Sequence, residues 1–354
     1  MKLCQATLKE SSNSRQIVFV ELKDANKYLK KPDLDSNKYS RGVLGVITGS
    51  NEYPGAAILT TSAASKSNIG MVRYAGALRA QNLVLQASPE IVVSQKLQGK
   101  VNAITLGSGI PDSKHCKDNE TKEQREYISE ILKLYSINKK DENKTNTNNL
   151  ENVLQQNTPP ICVDAGALDL LPEKVSSKVI LTPHYSELSS LLKRYEIYAS
   201  AQLIATNPTD YAILAANLTN ATVLLKGSNT IVASPENLDL PIYISNYGPS
   251  WLATAGSGDV LAGILGALLA QNYSNPSDYS KQENSLNYAL IASSAATIHS
   301  FASILASHKT QNYNYNNEIK KILNTKEDLI IEHPIVAKDI IEALEQAIGL
   351  IMKL

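Results

Sequence analysis

Short apolar runs separated by longer helical stretches constrain this chain more than any other feature. Residues 43–48 (VLGVIT), 71–75, 83–87, 103–106, 161–164, 179–182 and 222–226 read as strands bounded by turn residues. Residues 55–67, 122–135, 185–195 and 210–218 between them carry helical patterns. A strand that must cross over a helix before the next strand pairs in parallel. The rhythm therefore predicts an α/β fold, a mostly parallel central sheet flanked by helices on both faces. Residues 230–233 follow one strand after a Gly-Ser-Asn turn, which predicts a hairpin, and 242–245 add a further strand. The rest reads as helix over 258–271, 285–306 and 336–348.

With 354 residues and 43% apolar side chains, the chain can bury a sizeable core. Its 34 basic and 34 acidic side chains cancel, which argues against nucleic acid as a partner. Cys4, Cys116 and Cys162 form no CxxC pair, so neither a zinc site nor a disulfide framework is suggested. The first twenty residues lack the apolar core of a signal peptide, and the apolar run 260–270 is too short to cross a bilayer. A cytoplasmic protein with no membrane partner is expected. The Asn-, Lys- and Thr-rich segment 137–158 reads as a surface insertion, and 278–284 and 309–317 are similar but shorter. The strand–helix rhythm continues past 137–158, so a single domain over 1–354 is expected, with 1–35 as an N-terminal extension.

Three segments carry candidate chemistry. In residues 252–269, LATAGSGDVLAGILGALL, small residues lead into Gly258, Asp259 and an apolar helix. Glycines allow backbone N–H groups close to an anion, and a helix start adds unpaired donors and partial positive charge. Asp259 stands where a carboxylate could take a proton from a hydroxyl beside a bound phosphate, although a carboxylate there also suits the helix dipole alone. Gly263 and Gly266 read as close-packing positions. In TVLLKGSNTIVASP (222–235), the turn at Lys226, Gly227, Ser228 and Asn229 could cradle phosphate or ribose, or simply be a solvated hairpin turn. In ILTPHYSEL (180–188), His184 could hydrogen-bond a substrate and Glu187 could act through water on Mg2+; the same residues also suit an ordinary helix start. Asp164, at the end of an apolar run, and the glycine loops at 49–57 and 107–109 mark further strand ends, each weak by itself.

In this order, KYSRGVLGVITGS (38–50), PGAAILTTSAASKSNIGMV (54–72), ITLGSGI (104–110), CVDAGAL (162–168), ILTPHYSEL, TVLLKGSNTIVASP and LATAGSGDVLAGILGALLAQ (252–271) closely resemble the ADP-dependent NAD(P)H-hydrate dehydratase family. PIVAKDIIEAL (334–344) resembles its C-terminal helix. The resemblance implies a ribokinase-like fold and a lyase that repairs NADH or NADPH hydrated at C6 of the nicotinamide. It phosphorylates that hydroxyl from ADP, expels phosphate and releases AMP. Carried over by position, Asp259 is the base beside the substrate hydroxyl; Ala56, Ala57, Gly109 and His184 contact the hydrated nicotinamide; Lys226 to Thr230 and Gly258 bind the nucleotide; and Glu187 supports Mg2+. The family's Gly-Asn pair before the phosphate loop is absent, the stretch here being Gly248-Pro249-Ser250-Trp251, and Tyr185 and Ser186 depart from its TPHPGE form.

The resemblance also implies specificity for the S epimer and a homo-oligomer, as large as a tetramer in related proteins. About forty residues precede the match. An N-terminal epimerase domain is therefore not expected, and a separate epimerase is the expected functional partner. Two rival readings share the motifs: an ATP-dependent vitamin kinase acting on hydroxyethylthiazole or a pyridoxine-like alcohol, and a nucleotide-binding regulator without turnover.

Overall fold

A computed structural model describes residues 15–137, 158–273, 286–308 and 332–354. Among these, ten strands form one sheet: β1 (Ile17–Phe19), β2 (Val43–Ile47), β3 (Met71–Ala75), β4 (Val92–Ser94), β5 (Ala103–Leu106), β6 (Ile161–Val163), β7 (Val179–Leu181), β8 (Thr222–Leu225), β9 (Thr230–Ala233) and β10 (Ile242–Ser245). Their order is β1-β10-β9-β8-β7-β6-β5-β2-β3-β4. All neighbours are parallel except β9, which is antiparallel to both β8 and β10. The expected hairpin is thus present.

The helices are α1 (Leu22–Asn26), α2 (Gly55–Ser65), α3 (Leu78–Ala87), α4 (Asn119–Lys133), α5 (Tyr185–Lys193), α6 (Ala201–Thr206), α7 (Pro208–Thr219), α8 (Ser257–Asn272), α9 (Tyr288–Ser307) and α10 (Ala337–Ile351). They lie in two layers because successive strand residues point to opposite faces. Leu44, Cys162, Ile180 and Leu224 face a core shared with α2, α3, α8, α9 and α10. Ile47, Val163, Leu181 and Leu225 face a second core shared with α4, α5, α6 and α7.

Helix α8 is apolar all round because it has no free face, being packed against α2, α9, β5 and β2. A Cβ on Gly263 would strike the Thr60 carbonyl and one on Gly266 the Thr105 hydroxyl, so both glycines serve close packing, as expected. Helix α9 is long and apolar enough to cross a bilayer by length and composition, but it is enclosed by the sheet, α8 and α10.

Two expectations change. Residues 83–87 are not a strand but the second half of α3, whose buried Ala80, Gln81 and Val84 recur at helical spacing. From residue 15 onward the N-terminal extension belongs to the fold: β1 pairs with β10, Arg15 donates to the carbonyls of Ser234 and Leu240, and Ala25 of α1 lies in the core. The Asn-rich segment, apart from its two end residues, and the polar stretches 278–284 and 309–317 lie outside the described residues.

Candidate active site

The parallel strands bring their carboxyl ends to one edge of the sheet, where α/β proteins bind ligands. The first polar groups beyond β5, β6, β7 and β8 meet there. Asp164, 2% exposed, accepts hydrogen bonds from Ser108 Oγ at 2.7 Å, Thr182 Oγ1 at 2.7 Å and Lys226 Nζ at 2.8 Å. Burial alone would raise the Asp164 carboxyl, but Lys226 and the two hydroxyls hold it below the ordinary value. Burial likewise opposes the Lys226 ammonium, yet Asp164 and Glu187 keep it above the usual lysine value. The result is a fixed ion pair with an enclosed carboxylate and an ammonium side chain that keeps 20% of its surface exposed.

The backbone beside this pair is equally ordered. Lys226 N–H donates to the Pro183 carbonyl, which joins the end of β8 to the start of α5. His184 caps α5: its Nδ1 accepts from the amides of Ser186 and Glu187, while Glu187 accepts from the His184 amide at 2.8 Å. With Nδ1 as acceptor, the ring's free N–H is on Nε2, 3.5 Å from a Glu187 oxygen. The other Glu187 oxygen is 3.8 Å from Lys226 Nζ. Tyr185 turns the other way, its hydroxyl occupying the space a side chain at Gly227 would need.

Asp259 lies in the first turn of α8. Gly256 precedes that turn at φ 84, where a Cβ would strike Leu59. No side chain caps the helix; Ser257 N–H donates to the Thr254 carbonyl, and the amides of Gly258 and Asp259 are left for an anion. Lys226 Nζ is 3.5 Å from where a Cβ on Gly258 would stand, which brings the anchored ammonium to this helix start. The Asp259 carboxyl is pushed up to about 7, mainly by burial, then by the negative charge of Asp164, with Lys226 opposing. A carboxylate tuned to that value is suited to take a proton near neutral pH.

Ala56 and Gly109 meet across the ends of β2 and β5. Gly109, at φ +67, could not carry a side chain without striking the Ala56 Cβ. Ala57 is wholly buried against Gly49, its N–H donating to the Pro54 carbonyl and its own carbonyl accepting from Thr61, so it lies behind this surface and presents no atom to a ligand. Gly227, Ser228 and Asn229 form the exposed tip of the β8–β9 turn, and Thr230 opens β9. Where the Gly-Asn pair is absent, Ser250–Leu252 makes a 3-10 turn with Trp251 39% exposed.

One buried group here had no signal in the sequence. His299 of α9 is enclosed, its Nε2 has no hydrogen-bond partner, and its pKa is lowered to about 4, chiefly by burial, against an opposing bond with the Ser257 backbone. The folded pKa lies below the unfolded value. The stability this neutral histidine contributes is present above about 6.5 and is lost as pH falls toward 4. Asp259 has the opposite sign over nearly the same window. In His299→Gln, which cannot titrate, the Asp259 contribution is no longer offset, so the variant's melting temperature should gain on that of the wild type as pH falls from 7 to 4. An unchanged pH profile of the melting temperature would refute this.

The family model for NAD(P)H-hydrate dehydratase matches residues 44–325. The chain belongs to the NAD(P)H-hydrate dehydratase family. It is 35% identical to the bifunctional NAD(P)H-hydrate repair enzyme Nnr of Mycobacterium leprae over 72% of this chain and 46% of that protein. It is 32% identical to the ADP-dependent (S)-NAD(P)H-hydrate dehydratase of Neisseria meningitidis, over 67% of this chain and 72% of that one. The chain thus spans about half the length of the bifunctional relatives it matches. Its fold is that of the Bacillus subtilis ADP/ATP-dependent NAD(P)H-hydrate dehydratase co-crystallised with ATP/Mg2+, with TM-score 0.65, 20% identity and coverage of 96% and 99% of the two chains. The ribokinase-like expectation is met.

Proposed function

We propose that this chain is an ADP-dependent dehydratase of the S epimer of hydrated NADH or NADPH. Asp259 carries the reading: it is an acid raised to about 7, in the first turn of an uncapped helix beside an anchored ammonium. ADP lies along Lys226 to Thr230 and Gly258, with its terminal phosphoryl at the start of α8. The hydrated ring lies on Ala56, Gly109 and His184, with Ala57 buried behind Ala56 and the C6 hydroxyl toward Asp259. Asp259 takes the hydroxyl proton as the oxygen attacks phosphorus and the bond to AMP breaks. Lys226 and the first amides of α8 neutralise the negative charge in flight, where positioning and charge do most of the work. The C6–O bond then breaks with departure of phosphate, and loss of a proton from C5 re-forms the ring double bond.

Among the described residues no group of three or more His, Cys, Asp or Glu could hold a metal. That fits magnesium carried mainly by nucleotide phosphates and water, with Glu187 as a partner through water. When bound, magnesium would add charge neutralisation at the phosphates. The R epimer would reach the same site only after epimerisation.

The test is incubation with ADP, magnesium and mixed hydrate epimers, following reduced-nicotinamide absorbance and AMP. Recovery of the S form with one AMP per NADH is expected. Conversion of ATP and a vitamin alcohol to ADP and a stable phosphate ester would favour the kinase. Tight nucleotide binding without turnover of either would favour the regulator.

A further inference from the structure

The start of α8 is the proposed seat of the transferred phosphoryl, yet no side chain caps it. Support comes from behind, from α9. Gly248, at φ +113, lies so close to Ser300 that a Cβ there would meet the serine side chain at 3.2 Å. At the other end of the same connection, the enclosed His299 ring bonds the Ser257 backbone. We propose that His299 is a positioning residue for phosphoryl transfer, aiming the Gly258 amide at the bound phosphate; the inference rests on the function proposed above.

The direction of the bond follows from its partners. It raises the ring's hold on a proton, so the ring donates and the Ser257 carbonyl accepts. The Ser257 N–H is engaged elsewhere, on the Thr254 carbonyl. Nε2 has no hydrogen-bond partner, which leaves Nδ1 as the donor. The Ser257 carbonyl and the Gly258 N–H belong to one planar trans peptide, so they point in opposite directions. A donor that fixes the carbonyl therefore fixes the amide, and polarises it into a stronger donor. That amide has no acceptor within the helix and is one of the two left for an anion. Lys226 Nζ stands 3.5 Å from where a Cβ on Gly258 would be, so the ammonium reaches the same place.

A histidine fits this role where other residues do not. Burial and Lys226 keep the ring neutral, its pKa lowered to about 4, so it donates without bringing a second positive charge behind the phosphate. A lysine or arginine there would draw the anion away from Lys226. An enclosed nitrogen without a partner, as Nε2 is, destabilises a fold. Packing alone therefore favours an apolar residue at this position, and the bond to Ser257 is what the histidine adds. The connection also lacks the Gly-Asn pair of the family, so α9 backs a stretch whose own sequence is altered.

Asparagine and glutamine separate the two ring nitrogens, because an Asn amide nitrogen can stand where Nδ1 does and a Gln nitrogen where Nε2 does. ADP and AMP affinities are measured by calorimetry at pH 8, with melting temperatures and steady-state constants beside them. His299→Leu should melt no lower than the wild type, because it removes the unpaired nitrogen. It should nevertheless bind ADP at least about tenfold more weakly, with KM for ADP raised and KM for the hydrate unchanged. AMP, which lacks the terminal phosphoryl, should bind this variant as it binds the wild type. His299→Asn should restore ADP affinity and His299→Gln should not. Wild-type ADP affinity in His299→Leu, equal losses for ADP and AMP, or equal ADP affinities in His299→Asn and His299→Gln would each overturn the role. If His299→Leu melts lower than the wild type, the comparison of His299→Asn with His299→Gln decides alone. A wild-type chain that shows this binding pattern but does not dehydrate the hydrate would overturn only the function beneath the inference.

Discussion

Asp259→Asn should lose at least about a hundredfold in turnover, the scale of a missing general base, while nucleotide still binds. The same substitution should stabilise the fold. The Asp259 carboxyl is raised from 3.8 to about 7, so the folded chain holds a proton there that the unfolded chain has released. Between those values the folded state becomes less favourable as pH rises, and above 7 the cost is complete, about 4 kcal/mol at most. The variant should therefore melt higher than wild type at pH 8, with the difference shrinking as pH falls toward 4. Wild-type kcat/KM should rise with pH through about 7 and level off above it, because only the ionised carboxylate accepts the proton. Near-normal turnover in Asp259→Asn would remove this residue from the chemistry. A melting temperature that drops at pH 8 would show that the carboxylate supports the fold.

The spacing of apolar runs made most of the sheet legible because buried parallel strands need continuous apolar character. It missed β1 and β4, which are three residues each and lie at the sheet edges, with Ile17, Phe19 and Val92 largely exposed. It misread 83–87 because Leu83, Val84 and Leu85 are adjacent and apolar as in a strand; only the burial of Ala80 and Val84 with Leu85 exposed reveals the helix. At the site, the glycine-rich turn before Asp259 and the Lys226 turn stood out locally. The partnership of Lys226 with Asp164 did not, because the two are 62 residues apart and meet only through strand order. A usable signal was nevertheless present. Asp164, Thr182 and Lys226 each directly follow a buried strand, and Ser108 comes two residues after one. Reading the first polar residues beyond every apolar run as one set would have assembled the cluster. His299 offered no such signal, since a histidine within an apolar helix is not marked by spacing.

Asp164→Asn isolates what charge contributes to that cluster. Lys226 and Thr182 both donate to Oδ1 and Ser108 donates to Oδ2, so an asparagine can keep its oxygen toward the lysine and turn its amide toward the serine hydroxyl, which can accept. The bonds survive and the negative charge does not. Lys226, its side chain 20% exposed, is then a largely enclosed cation whose nearest carboxylate is Glu187 at 3.8 Å. Breaking one side of a fully buried pair costs about 3–5 kcal/mol; the partly solvated Lys226 places this cost at or below the low end, read as a lower denaturation midpoint. Turnover should fall at least about tenfold as the ammonium loses its anchor, and the acidic limb of kcat/KM should move to lower pH, because Asp164 helps hold Asp259 up. Adding Lys226→Met should recover much of the lost stability, since no uncompensated charge remains buried, and should recover none of the turnover. Double-mutant coupling of that sign distinguishes a cation held for chemistry from a pair kept for the fold. If the double variant regains activity along with stability, the ammonium has no part in phosphoryl transfer. If it stays as unstable as the single variant, the pair is structural and the proposed role of Lys226 fails with it.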